Sequence, residues 1–215
     1  MAADNTAHGE QQSANNRKPK VKQDHYFSQD QNSLFRLQTV DVLLKDDSFS
    51  ISTASGLFSK DEVDFGTRLL IENTQPKGLV LDLGCGYGVV GIALLRRHKN
   101  LSVIFSDINS RAVEVTKQNL EHLKLKGDIR QSDIFTNIPE SFDTILSNPP
   151  YAAGRQVCYA MIEGSHAHLN KKGTLYIVAR HAKGGKMLEK KMKEVFGNVK
   201  TIAKRGGFRV YASER

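Results

Sequence analysis

Cysteine is scarce in this chain. Cys85 and Cys158 are the only two among 215 residues, too few for a disulfide framework or a cysteine-built metal site. That usage predicts a reducing, cytoplasmic compartment. Long apolar runs are also missing, and the polar N-terminus lacks the apolar core of a signal peptide, so no membrane partner is expected. No internal repeat is visible. Residues 1–24 carry Val21 as their one sizeable aliphatic side chain and are predicted to be a disordered polar tail, leaving 25–215 as a single domain. Acidic residues are under-supplied: 23 Asp and Glu stand against 31 Lys and Arg, a formal charge of +8. Ten Lys or Arg against three Glu lie between Lys183 and Arg215. Such an excess favours an anionic partner, nucleic acid foremost.

What is present alternates. LQTVDVLL and FSISTA flank the turn-like KDDS, which predicts a β-hairpin over about 34–56. Ser59 with Glu62 three residues on resembles a capping box, so a helix is expected over 59–73. From Gly78 the pattern becomes strand, helix, strand, helix. GLVLDLG and LSVIFSD read as buried strands, VVGIALLRRH and SRAVEVTKQNLEHLK as helices. DIRQSD is a short strand, FDTILSN the next, then the helix VCYAMIEGSHAHL and the strand GTLYIVAR. The helix KMLEKKMKEVF precedes two strands around VKTIAK and FRVYAS, joined by Arg205-Gly206-Gly207. Alternation of this kind predicts an α/β fold, a mostly parallel sheet covered by helices on both faces, with an antiparallel C-terminal edge.

The first buried strand ends in Asp82-Leu83-Gly84-Cys85-Gly86-Tyr87-Gly88. Glycines there permit a tight turn and close approach of a ligand at the positive end of the next helix. Gly86, Gly88 and Gly91 spell GxGxxG, and Asp107 follows Gly88 by nineteen residues, where a ribose-binding acid is expected. The loop alone does not separate NAD from another adenosine-bearing cofactor. Asp82 argues for a cation, because a carboxylate beside the loop repels a pyrophosphate and attracts an amine or sulfonium. Asp107 with Ile108 after the second strand, and Asp133 with Ile134 after the third, put further ligand contacts at the carboxyl edge of the sheet.

Ser147-Asn148-Pro149-Pro150-Tyr151 ends the strand FDTILS. Two prolines stop the strand by removing two donors and fixing two φ angles. The same residues suit a planar amine. The Asn148 side-chain oxygen and the Pro149 carbonyl can each accept one N–H, Pro150 stiffens the turn, and Tyr151 can stack on a ring.

Together the Asp82–Gly88 loop, Asp107, Asp133 and Asn148-Pro149-Pro150-Tyr151 resemble a class I S-adenosylmethionine-dependent methyltransferase of the amino-methylating kind. Gly56-Leu57-Phe58-Ser59, Val63-Asp64-Phe65-Gly66-Thr67, and the stretch from Arg180 through Lys183, Gly184 and Gly185 to Phe196-Gly197-Asn198 are similar to the RsmC-like ribosomal RNA guanine-N2 methyltransferases. This likeness covers residues 56–211. It implies a Rossmann-like seven-stranded sheet and S-adenosylmethionine as cofactor. It also implies that Phe58, Gly66 and Thr67 flank the cofactor beside Asp82, Gly84, Cys85, Gly86, Gly88 and Asn148. The implied partner is ribosomal RNA or the small ribosomal subunit, with no metal; monomer and homodimer both stay open. Adenine N6 and a glutamine amide of a release factor pose the same chemical problem as guanine N2. Release-factor enzymes carry a helical domain ahead of the glycine loop, where this chain has a hairpin. A non-catalytic RNA-binding protein would need none of Asp82, Asp107 and Asn148, and an NAD oxidoreductase leaves Asn148-Pro149-Pro150-Tyr151 unexplained.

Overall fold

Leu79–Leu83 is apolar at every position except Asp82, and such a strand is stable only with both faces covered. It is paired on both edges inside the sheet in the computed structural model, which describes residues 35–59 and 62–215. The elements run β1 (Leu37–Leu43), β2 (Ser48–Ala54), α1 (Phe65–Asn73), β3 (Leu79–Leu83), α2 (Val89–Arg97), β4 (Ser102–Asp107) and α3 (Ser110–His122). They continue with β5 (Asp128–Gln131), β6 (Phe142–Ser147), α4 (Arg155–His168), β7 (Leu169–Arg180), α5 (Lys186–Phe196), β8 (Lys200–Arg205) and β9 (Phe208–Glu214). A 3-10 turn at Tyr151–Ala153 leads into α4, and a wide helical turn at His181–Gly185 leads into α5.

Seven strands form one sheet in the order β5-β4-β3-β6-β7-β9-β8. The first five are parallel, and β9 and β8 close the edge antiparallel. β4 pairs on one side of β3 and β6 on the other, so the chain reverses direction across the sheet there. Crevices at such a switch point, outside the carboxyl ends of the strands, are where open α/β sheets take ligands. Apolar side chains on the two faces make two cores. Phe105, Leu94, Ile92 and Leu70 anchor one, and Phe142, Ile145, Met161 and Tyr211 the other. Burying each large aliphatic chain contributes roughly 1.5–3 kcal/mol, which holds the strand tips in register.

The hairpin β1–β2 stands apart as a two-stranded sheet. Val40, Val42 and Ile51 seat it on the core, and Asn119 of α3 ties it down. The Asn119 amide donates to the Ser52 carbonyl at 2.8 Å and to the Tyr87 carbonyl at 3.0 Å, and its oxygen accepts the Ser52 N–H at 2.7 Å. One buried side chain thus joins the hairpin to the glycine loop.

Two expectations change. The helix before β3 starts at Phe65, not at Ser59, and Asp64 caps it. Ser59 has φ +55°, outside the geometry a capping residue adopts. β7 begins at Leu169, earlier than GTLYIVAR, because Leu169 already pairs with Phe142. The expected tail at 1–24 lies outside the described residues. Among the described residues no helix is long and apolar enough to cross a membrane.

Candidate active site

A cavity of about 680 Å³ opens at the carboxyl ends of β3, β4, β6 and β7. Its floor is the glycine loop. Gly84 and Cys85 donate their N–H groups to the Ser106 carbonyl at 2.8 and 3.0 Å, and Gly86 donates to Asp107 Oδ2 at 2.8 Å. The other Asp107 oxygen accepts the Asn109 N–H at 2.9 Å. Asp107 therefore fixes the loop against the tip of β4 while its carboxylate faces the cavity. Burial pushes its pKa above the ordinary carboxylate value, against the pull of those N–H donors.

Asp82 serves two neighbours. Gly88 caps α2 with a left-handed φ of +84° and has no side chain to offer the helix. The Asp82 carboxylate reaches across instead and accepts the Gly91 N–H at 2.8 Å, meeting a donor of the first turn. Only 2% exposed, it also borders the cavity. Desolvation, with a smaller push from Asp107, lifts its pKa from 3.8 to about 7 despite the Gly91 bond. A buried carboxylate held this way is poised to ionise next to a cation.

The strongest construction surrounds Asn148. As N-cap of α1, Asp64 accepts Gly66 N–H and Thr67 N–H at 2.9 Å each, and the Thr67 hydroxyl donates to it at 2.5 Å. Asn148 Nδ2 then donates to Asp64 Oδ2 and to Thr67 Oγ1, both at 3.0 Å. A carboxylate cannot donate, so the amide has one orientation: both its hydrogens point to α1. Asn148 Oδ1 is left as an acceptor on the cavity side. Next to it, the Pro149 carbonyl takes no part in the bonds that hold the following turn, which run from Ala153 N–H to Pro150 O and from Gly154 N–H to Tyr151 O.

Most residues expected at the site line this cavity: Phe58, Thr67, Asp82, Gly84, Cys85, Gly86, Asp107, Ile108, Asp133, Ile134, and Asn148 through Tyr151. Gly66 and Gly88 do not. A Cβ on Gly66 would stand 2.7 Å from the Phe208 ring, and one on Gly88 would stand 2.7 Å from Thr116 Cγ2, so each is small for packing. Ser132, next to Asp133, is committed to its own turn, accepting Asn137 N–H at 3.0 Å and donating to the Ile134 carbonyl at 3.2 Å. Pro150 spends its carbonyl on Ala153. Tyr151 is not a free platform: its ring rests on Gly184, and its buried hydroxyl has no partner among the described residues. The Cys85 thiol is buried and pushed well above its ordinary value, by burial first and then by Asp107 and Asp82, which suits no nucleophilic duty.

The sequence gives no site role to Asp64, Arg180 and Lys183, which carry part of the family likeness, nor to Phe208, yet all four line the cavity. Asp64 was findable, since an Asp directly before Phe65-Gly66-Thr67 is a good N-cap. The other three come from the end of β7, the helical turn after it and the start of β9, whose proximity depends on the antiparallel return of β9. Among the described residues no group of three His, Cys, Asp or Glu could hold a metal ion.

A parallel sheet with a glycine loop at its switch point, facing an Asn-Pro-Pro-Tyr turn, defines the class I methyltransferase architecture. Residues 48–212 match the family described as the methyltransferase small domain. The chain belongs to the methyltransferase small domain family and is RsmC-like within it. YbxB of Bacillus subtilis (strain 168) is 36% identical over 198 residues, covering 89% of this chain and 98% of its own length. The ribosomal RNA small subunit methyltransferase C of Klebsiella pneumoniae is 37% identical over 171 residues, 77% of this chain and 49% of its own. Among solved structures, the Thermus thermophilus 16S rRNA N2 G1207 methyltransferase RsmC, in complex with AdoMet and guanosine, aligns with a TM-score of 0.72 and 25% identity. That alignment covers 86% of this chain and 51% of that one. The chain spans about half the length of the RsmC relatives it matches.

Proposed function

We propose that the protein methylates an exocyclic base amine of ribosomal RNA, guanine N2 of the small subunit, with S-adenosylmethionine as methyl donor. The observation that carries this reading is the lock on Asn148, which leaves an acceptor and no donor at the cavity beside the Pro149 carbonyl. The RsmC relatives supply the choice of guanine and of ribosomal RNA.

The residues fit the cofactor. A Cβ on Gly86 would meet nothing within 4 Å, so that glycine leaves open space over the loop rather than relieving a protein contact. Ser106 Oγ is buried beside Asp107 with no partner among the described residues, as a group awaiting a ligand would be. Asp82 offers a carboxylate to positive charge, and Asp107 has lone pairs to spare for ribose hydroxyls. When bound, S-adenosylmethionine supplies an electrophilic methyl group on a sulfonium.

The protein's own part is to prepare the nucleophile. A base amine is a poor nucleophile because its lone pair is delocalised into the ring. Asn148 Oδ1 and the Pro149 carbonyl accept its two N–H groups, which turns the lone pair out of the plane and steadies positive charge developing on nitrogen. Asp64 and Thr67 keep the acceptor from rotating into a donor. The surplus proton departs to water after transfer, so no strong general base is needed.

Transfer of tritiated methyl groups to small ribosomal subunits, naked rRNA and release factors tests the reading. Label recovered as N2-methylguanosine is the expected result. Label in protein, in N6-methyladenosine, or in no product overturns it.

A further inference from the structure

Beside the cavity mouth, arginines gather on two phenyl rings. Phe65 of α1 and Phe208 of β9 pack with centroids 5.8 Å apart at 45°. Arg180 lies over Phe208 at 4.6 Å, and Arg68 and Arg205 lie over Phe65 at 5.9 Å each. The strand register brings them together, since both Arg180 of β7 and Arg205 of β8 pair opposite Phe208. Among the described residues none of these three arginines, nor Lys183, has a carboxylate partner in an ion pair. Arg68 Nε is buried without a hydrogen bond. On the far side of the same edge, Lys204 stands directly opposite Arg209, a like-charge pair that opposes sheet pairing. Arg180, Lys183 and Phe208 also line the cavity, so the cluster and the cavity are one continuous surface.

Uncompensated guanidiniums destabilise a protein on its own and favour a polyanion. Held over a ring by its charge, each still has N–H groups to offer a phosphate and a guanidinium plane to offer a base. We propose that this arginine–phenylalanine cluster is a track for single-stranded RNA, gripping the nucleotides that adjoin the one entering the cavity. The proposal rests on the reading that the substrate is RNA, yet it needs no particular base. It gives the chain a way to hold its substrate with α1 and the C-terminal sheet edge.

Poly(U) separates the two readings, because uracil has no exocyclic amine for Asn148 to select. Fluorescence anisotropy of labelled poly(U) across a salt series should show Arg205→Ala weakening binding on the order of tenfold. The slope of log affinity against log salt should fall by about 0.7, the loss of one phosphate contact on a single strand. Arg205→Lys should restore the slope but only part of the affinity, since a lysine keeps the charge and loses the stacking plane. Lys204→Ala, off the rings, should cost less than Arg205→Ala. In the unmutated protein, poly(U) should shift the ring-proton resonances of Phe65 and Phe208. Equal affinity of wild type and Arg205→Ala, unmoved ring resonances, or equal losses at Lys204 and Arg205 would overturn the track. Competition by polyglutamate as effective as by poly(U) would instead assign the surface to an acidic protein. A failed methylation assay leaves every one of these readouts intact.

Discussion

Cofactor binding should depend on pH through Asp82. Its carboxyl titrates near 7 in the free protein, because burial outweighs the bond from Gly91. At pH 6 roughly one molecule in ten then carries the charge that a sulfonium or ammonium needs, and at pH 8 roughly nine in ten do. Apparent affinity scales with the competent fraction, so S-adenosylmethionine should bind about tenfold more tightly at pH 8 than at pH 6. Binding below neutrality should release close to one proton, which calorimetry in buffers of different ionisation enthalpy measures directly. The Asp82→Asn variant supplies the control, since the ligand's own amine titrates identically against both proteins. It should bind weakly and lose the slope. The stability sign follows from the same shift. A folded value of about 7 against 3.8 unfolded means that the native state binds more protons between those pH values. The Asp82 contribution is therefore fully present below 3.8 and is lost as pH rises through 7, with ligand restoring stability above neutrality. A flat affinity profile, or an Asp82→Asn profile parallel to wild type, would refute the reasoning.

Asn148→Ala should keep S-adenosylmethionine affinity and lose methyl transfer by roughly 10²–10³-fold, as when one transition-state contact is removed; near-normal turnover in tritium transfer would defeat the mechanism. Asp64→Ala removes a helix cap and the lock at once, so calorimetric stability should drop by about 1 kcal/mol and turnover should fall with it. Unchanged turnover there would mean that Asn148 needs no holding. Gly91→Ala would bring a Cβ to 2.2 Å from the Phe105 ring, a rigid neighbour in the centre of a core. The melting temperature should fall, by the equivalent of roughly 1–3 kcal/mol; an equal or higher one would contradict the packing.

The sheet was legible because its evidence is local. GLVLDLG, LSVIFSD and FDTILS each announce a buried strand over a few residues, and Asp82, Asp107 and Asp133 number off three successive strand tips. The wide reach of α1 was not legible. Ser59 and Glu62 imitate a capping box, while the true cap, Asp64, acts on Asn148 from 84 residues away. Gly66 and Gly88 read as ligand positions because a small residue at a loop looks the same whether it admits a ligand or a neighbouring side chain. Only the Phe208 ring and Thr116, both distant in sequence, distinguish the two. The chemistry of Tyr151 is visible in the sequence, but its constraint by Gly184, which belongs to another element, is not.

The bonds from Asn148 to Asp64 and Thr67 have a consequence for what the site refuses. An unconstrained amide is ambidextrous and could turn its NH₂ toward a carbonyl. This one cannot, so any ring edge that brings an oxygen to the pocket meets lone pair against lone pair from Asn148 and from the Pro149 carbonyl. On the proposed mechanism, uracil and thymine would be turned away without a single clash of shape. Such an enzyme would screen its substrates by counting hydrogens, with the tally kept on a helix cap.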